Sequence, residues 1–503
     1  LLGHGFNVDR RTYHFAVYYY AGVHAALIRV FGDAPESIPL GNVFHFALLA
    51  GAGSLFLGRR GAWLGAAAFV AALVLDERLY TAARQGRPEM TAGCGLVLGV
   101  VLLWVWLDER RGGIGPALAA GAAFTAGIFS HTAMVFFTAA LGLAWAPRAL
   151  RRARPVEIAA ALLPFASIPA LYAYFLLTDS WSNFSRQMAP MTGNVVVGEL
   201  VALVRHGEWA TLAVRVAAFL REHVAHPVVW AGALLCLALP IVAPGRSSAA
   251  ARHFAAAWVV CLGAHLLFLK PYVLTYRSFY QPALYLALAF AAEVLAERAG
   301  RLLRSPFATP ALRLVAAAAL LAAATLTVVE MQRRLAPLRS PFPRLRSALE
   351  YALAASGARP GDRVLAPSPF VFHLRERFEP VAYPAIGQYF QDQWGPGFRT
   401  GLRDLWGPET VEATPARELC WATGLAYLEP RWVVAWNRDY GILTPFRDFL
   451  RHFPTLPGLR VSEGQRAELP WPYGGVVRVY RLDFSPEVSR LDRAPGEQAL
   501  PCP

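Results

Sequence analysis

The chain has 503 residues, of which 56% are apolar and only 16% charged, with a net charge of +14. A mean hydropathy of +0.37 is too high for one soluble domain of this length and points to a membrane protein. The basic excess argues against nucleic acid as a partner, because it falls in short blocks between apolar runs, the pattern of positively charged loops on one side of a bilayer.

In chain order, residues 1–37 read as an outer loop with an amphipathic segment. There His14, Tyr18, Tyr19 and Tyr20 set aromatic beside polar groups, as at a membrane interface. Apolar runs follow at 38–57, 61–76, 91–107, 114–129, 131–147, 157–178, 226–244, 253–270, 277–296 and 312–330. A bilayer span takes about 20 apolar residues, so about ten spans are expected. The stretch 114–147 reads either as one long run broken at Ser130-His131 or as two short helices meeting there. Residues 196–222 carry apolar residues at helical spacing with Arg205, Glu208, Arg215 and Arg221 interspersed, which suits a helix lying on the membrane surface.

Residues 331–503 have a water-soluble composition. A helix is expected from Arg344 to about Ala355, then strands at Val364–Ala366, Trp432–Trp436 and Val476–Leu482. Helices between strands suggest a small α/β domain. The expected fold is an α-helical polytopic membrane protein with a C-terminal extracytoplasmic α/β domain, divided as 1–37, 38–330 and 331–503. Neither a glycine-rich phosphate loop nor an internal repeat is present.

The basic blocks are Arg59-Arg60, Arg110-Arg111, Arg148 to Arg154, Arg246 to Arg252 and Arg298 to Arg304, one in every second loop. Placing them in the cytoplasm puts 77–90, the region around 130, 179–225, 271–276 and 331–503 outside, together with 1–37. An N-terminus outside with no signal peptide, at a first residue that is Leu rather than Met, leads to the expectation of a preceding helix. Heavy use of Ala, Arg, Gly and Leu suggests a GC-rich bacterial source, hence the bacterial inner (plasma) membrane. Of five cysteines, Cys94, Cys236 and Cys261 lie in apolar runs, while Cys420 and Cys502 lie in the tail, where an oxidising compartment allows a disulfide.

Polar residues near a bilayer are costly and therefore functional candidates. Arg277 follows Tyr272 and Tyr276 at the outer start of an apolar run, with Lys270 nearby. A guanidinium suits phosphate because its planar fork donates parallel hydrogen bonds, although an interface anchor beside an aromatic belt has the same look. Asp76 and Glu77 are adjacent carboxylates that suit a divalent metal ion or a base, or pair with Arg78, Arg84 and Arg87 in a solvated loop. Arg87-Pro88-Glu89 precedes a span, where Pro also starts a helix. Asp9, among His4, Arg10, Arg11 and His14, is a candidate base in the first loop. His131 sits at the outer junction of two runs and reads as a buried histidine or as a residue facing the same cavity. His45 and His265 are weaker candidates within spans.

His14 to Tyr20 with Phe31-Gly32, Arg87-Pro88-Glu89, and Tyr276-Arg277 to Pro282, in that order, resemble motifs of the GT-C superfamily of polytopic glycosyltransferases. The resemblance is to the protein mannosyltransferase and aminoarabinose transferase branch and covers 1–330. It implies transfer of a sugar from a polyprenyl-phosphate donor to a lipid, glycan or protein acceptor on the outer face, among membrane lipids. It assigns the donor phosphate to Arg277 with Lys270, and substrate contacts to His14, Tyr19, Arg87, Glu89, His131 and Tyr276. Catalytic carboxylates are then sought among Asp9, Asp76 and Glu77. The family's acidic motif stands upstream of the segment matched by His14 to Tyr20, so the expectation is either that it lies in a segment preceding this chain or that this copy has lost it. A transporter or lipid flippase is the rival from another class, but matched halves and mid-membrane charges are missing from the sequence. A non-catalytic membrane scaffold is the third reading.

Overall fold

The computed structural model describes residues 18–32, 40–76, 79, 83, 88–109, 113–170, 173, 202–223, 227–269, 276–302, 307–335, 341–382, 396–437, 443–451, 453, 456–469 and 475–491. These residues form two compact units, one of them Tyr13–Glu330 and the other containing Met331–Pro503.

The first unit is helical. Its helices are α1 (Tyr18–Phe31), α2 (Leu40–Gly58), α3 (Trp63–Leu75), α4 (Glu89–Asp108), α5 (Ile114–Ile128), α6 (Met134–Arg152), α7 (Pro155–Leu162), α8 (Trp209–His223), α9 (Pro227–Val242), α10 (Arg246–Phe268), α11 (Arg277–Leu302) and α12 (Ala308–Leu335). Among the described residues, five helices are long and apolar enough to cross a bilayer: α2, α4, α10, α11 and the stretch Ala308–Glu330 of α12. Apolar helices of 10–17 residues occur at Gly22–Phe31, Trp63–Leu75, Ile114–Ile128, Pro155–Ala170 and Val229–Val242.

The stretch 114–147 resolves into two helices, α5 and α6, because Ser130 to Ala133 form a turn between them. The run 157–178 does not continue as one regular helix: Pro164 has no amide hydrogen, and Leu163–Ala166 tightens into a 3-10 turn. Three basic blocks expected in loops lie wholly or largely on helices instead, and Arg148 to Arg152 form the last turns of α6. Arg246 to Arg252 forms the first turns of α10, and Arg298 and Arg301 sit on the last turns of α11. Arginine and alanine are good helix formers, so these helices run on past the apolar stretch.

α4 and α11 form the centre of this unit, with Trp104, Phe279, Tyr280, Phe290 and Trp258 of α10 in the shared apolar core. α12 stands apart: 6% of its apolar window is buried, against 83% for α4. Its leucines and valines, such as Leu314, Val315 and Leu326, face outward, as on a lipid-facing helix.

In the second unit, α13 (Pro341–Ala355) precedes β1 (Arg363–Ala366), α14 (Ser368–Leu374) and β2 (Glu379–Ala382). Then come α15 (Pro396–Trp406), α16 (Pro408–Ala413), α17 (Ala416–Leu428), β3 (Trp432–Trp436), α18 (Leu443–Arg451), β4 (Leu459–Glu468), β5 (Val476–Phe484) and α19 (Pro486–Ser489). The five strands make one sheet in the order β2-β1-β3-β5-β4, with β2, β1 and β3 parallel and β5 and β4 antiparallel. Apolar side chains on both faces build two cores, one around Trp421, Phe446 and Phe449, the other around Leu349, Phe370 and Trp432.

The expected helix and three strands are present, and β2 and β4 are additional. β2 is a four-residue edge strand carrying Pro380, tolerated because an edge position need not donate to a ladder. β4 is a charged edge strand with an irregular register between Glu463 and Arg466, so apolar alternation does not mark it. Cys420 is disulfide-bonded, and Cys94, Cys236 and Cys261 are free and buried. Cys502, the partner expected for Cys420, lies outside the described residues.

Candidate functional site

The helices of the first unit alternate in direction, so the ends that face each other can be read from their contacts. The C-terminus of α3 meets α11 through Asp76, and the start of α4 meets α11 at Gly93 and Ser278. The turn between α5 and α6 lies against the start of α11 through His131, and the end of α10 does so through His265. Asp76, Glu89, His131, Tyr276 and Arg277 therefore share one end of the bundle. The arginine-rich segments hold the other end, where Arg60 pairs with Glu109, and both Arg148 and Arg152 pair with Asp108.

Arg277 opens α11. Its Nε donates to Gln281 Oε1 at 3.2 Å, one turn on, and the same oxygen accepts the Trp258 indole N–H from α10 at 3.2 Å. Gln281 and Trp258 are each 1% exposed, whereas Arg277 is half-buried. At the N-terminus of α11, the helix dipole adds positive potential to that of the guanidinium.

One turn further along the same stripe, Tyr285 donates to Asp76 Oδ2 at 2.5 Å. Asp76 is the C-cap of α3, and its Oδ1 accepts the amide of Leu79, three residues on, at 3.2 Å. Arg277 and Tyr285 are eight residues apart, about 12 Å along the axis at 1.5 Å per residue. Asp76 thus meets α11 two turns inside the level of Arg277.

The rim beside Arg277 is aromatic. Tyr276 is buried and stacks on Phe279, with ring centres 5.2 Å apart. The His131 ring stands edge-on to Tyr276 at 5.2 Å and against Phe279 at 5.2 Å, and its Nδ1 accepts the Ala133 amide at 3.2 Å. His265 bonds the Tyr280 hydroxyl at 3.1 Å.

Tyr19 belongs to a separate polar cluster on the same side. Its amide donates to Phe129 O at 3.1 Å, and its hydroxyl bonds His45 Nε2 at 3.3 Å. His45 Nδ1 faces Gly41 O at 2.6 Å and must be the protonated nitrogen, so Nε2 accepts from Tyr19. Thr91 Oγ1 donates to Asn42 Oδ1 at 3.0 Å, completing a buried network across α1, α2 and α4. Glu89 is 2% exposed in the first turn of α4, where a carboxylate complements the helix dipole.

Close approach of α4 to α11 brings these groups together. Pro282 has no amide hydrogen to give the Ser278 carbonyl, and that oxygen faces Gly93, where a Cβ would lie 2.7 Å away. Only a glycine lets the two backbones approach this closely without a shift.

Of the residues singled out from the sequence, Asp76, Tyr19, Glu89, His131, Tyr276 and Arg277 are described. Asp9, His14, Glu77, Arg87 and Lys270 lie outside the described residues. Sequence reasoning missed Gln281, Tyr285 and Trp258. The signal was present: Arg277, Gln281 and Tyr285 are spaced by four, one stripe of a helix. Among the described residues, no three His, Cys, Asp or Glu side chains come together to hold a metal ion.

No protein-family model matches the chain. No curated protein matches it either. Solved structures do. The crystal structure of ArnT from Cupriavidus metallidurans bound to undecaprenyl phosphate is 13% identical, and the match covers 95% of this chain and 94% of that one with a TM-score of 0.51. The apo structure of the same protein is also 13% identical, with 92% and 87% covered and a TM-score of 0.48. The chain therefore shares its overall fold with the undecaprenyl-phosphate-bound ArnT structure.

Proposed function

We propose that the chain is a membrane glycosyltransferase that moves a sugar from a polyprenyl-phosphate donor to a lipid, glycan or protein acceptor. The observation that carries this reading is Arg277. It is a guanidinium at a helix N-terminus, held from behind by a buried amide, at the bundle end opposite the arginine-rich segments. The fold shared with a protein crystallised with undecaprenyl phosphate supports a polyprenyl phosphate as the lipid.

In the reaction, an acceptor hydroxyl attacks the anomeric carbon of the donor sugar. The bond from that carbon to the phosphate oxygen breaks, and the lipid phosphate leaves with the electron pair. Arg277 stabilises the charge that gathers on it, assisted by Lys270. The acceptor proton passes to a carboxylate, for which Asp9, Asp76 and Glu77 are the candidates. A divalent metal ion bound by Asp76 and Glu77 would share in neutralising the phosphate. His131, Tyr276, Tyr19, His14, Arg87 and Glu89 are the candidates for contact with substrate.

The positive-inside rule supports arginine-rich segments on the cytoplasmic side and, with them, this end of the bundle on the extracytoplasmic side of a bacterial inner membrane. Residues 331–503 then form an extracytoplasmic α/β domain suited to recognising the acceptor, after a transmembrane domain spanning 38–330. The test is direct binding of undecaprenyl phosphate to the purified protein in detergent, read by native mass spectrometry. Saturable binding that Arg277→Ala weakens supports the reading. Equal binding by both proteins overturns it.

A further inference from the structure

We propose that Gln281 is the positioning residue for Arg277: its buried side-chain oxygen, shared with Trp258, holds the guanidinium in the orientation that receives the lipid phosphate. The inference rests on the glycosyltransferase reading above and adds a residue that acts through the arginine rather than on substrate.

Three observations carry it. First, the orientation of the amide is determined by its partners. Arg277 Nε and Trp258 Nε1 can only donate, so the oxygen of Gln281, not its nitrogen, must face both. Second, the bond uses Nε. The edge formed by the two terminal nitrogens, which forks onto a phosphate, is not consumed by it. Third, the anchor is rigid. Gln281 and Trp258 are almost fully buried in the packed core of α10 and α11, while the arginine they hold is only half-buried. An unheld arginine has rotamer entropy to lose on gripping a ligand, and a pre-placed one loses less.

A neutral amide also suits the task better than a carboxylate. Glutamate here would satisfy the same two donors, but its charge would compete with the phosphate for the guanidinium. Gln281 orients the cation and leaves its charge for the ligand.

The test is a double-mutant cycle on the full-length protein in detergent micelles, with undecaprenyl phosphate as the probe and native mass spectrometry as the readout. Gln281→Met keeps the volume and removes the strong acceptor. It is expected to weaken lipid binding about tenfold with Arg277 present and to have no further effect in an Arg277→Ala background. Gln281→Leu serves as the second variant and is expected to behave the same way. Melting temperatures of the lipid-free proteins identify any variant that has not folded. Unchanged affinity in both Gln281 variants, alongside a loss in Arg277→Ala, overturns the inference and leaves the glycosyltransferase reading standing. So does an equal loss with and without Arg277, which marks a structural role. Wild-type affinity in Arg277→Ala overturns the glycosyltransferase reading itself, and this inference with it.

Discussion

Tyr285 donates its hydroxyl to Asp76 Oδ2 at 2.5 Å, tying the middle of α11 to the cap of α3. α3 has 13 residues and ends short of a full span, so its last carboxylate reaches α11 two turns inside the start of that helix. Tyr285→Phe keeps the ring and removes the hydroxyl that donates to Asp76. The expected loss of stability is about 1–3 kcal/mol, read by thermal unfolding in detergent. An unchanged melting temperature would show that the bond is incidental.

At the opposite end, Glu293 fastens three helices. It is 3% exposed, accepts the Gly65 amide of α3 at 2.9 Å and pairs with Arg313 Nε of α12 at 2.8 Å. Arg313 is partly exposed and also pairs with Glu297 at 3.0 Å, so the group that Glu293→Ala strands is the buried Gly65 amide. Glu293→Ala is expected to cost about 1–3 kcal/mol, and Glu293→Gln, which keeps an acceptor for Gly65, clearly less. Thermal unfolding of the two variants side by side checks the order, and equal melting temperatures would contradict it.

Gly93 marks the closest approach of α4 to the site helix. Gly93→Ala would place a methyl 2.7 Å from Ser278 O and 3.0 Å from Phe279 Cα, all of it backbone. Overpacking of this kind costs about 1–3 kcal/mol. Because the displaced turn begins with Arg277, undecaprenyl-phosphate affinity should fall as well. A variant as stable and as tight-binding as the parent would show that the helices separate freely there.

Many of the apolar runs were legible as helices because apolar composition is a coarse signal that tolerates errors at the ends, but against about ten expected spans the described residues hold five helices long and apolar enough to cross a bilayer. Arg277 was legible for a similar reason, since a charge at the mouth of an apolar run stands out. Gln281 and Tyr285 were not, because both are neutral and sit inside a run that reads as membrane-embedded. Their role comes from the helical stripe they share with Arg277 and from Trp258, 23 residues earlier in sequence. In the second unit, β3 was legible as Trp432-Val433-Val434-Ala435-Trp436, buried along most of its length. β4 was not, because an edge strand exposed on much of both faces has no reason to alternate.

The second unit has an acid-sensitive joint at Asp362. Burial raises its carboxyl, but the Arg359 amide at 2.9 Å, the Trp432 indole at 2.8 Å and the Arg431 guanidinium together outweigh that effect. They hold it below the usual carboxylate range. A folded value below the unfolded one means that the ionised group stabilises the fold. That stability is complete above the unfolded value of about 3.9 and is lost as pH falls through the folded value. Asp362→Asn should speed hydrogen exchange at the amides of β1 near neutral pH, and the difference from the parent should shrink in acid. A difference that holds constant with pH would contradict the assignment.

The central claim is sugar transfer from a lipid phosphate gripped by Arg277. The most direct measurement is transfer in membranes from a panel of radiolabelled polyprenyl-phosphate sugars, comparing the parent protein with Arg277→Ala at equal inserted amounts. The account predicts that at least one donor is consumed and that Arg277→Ala reduces this by about a hundredfold or more, the scale of losing one preorganised charge stabiliser. No consumption of any donor, or equal consumption by the two proteins, would contradict it.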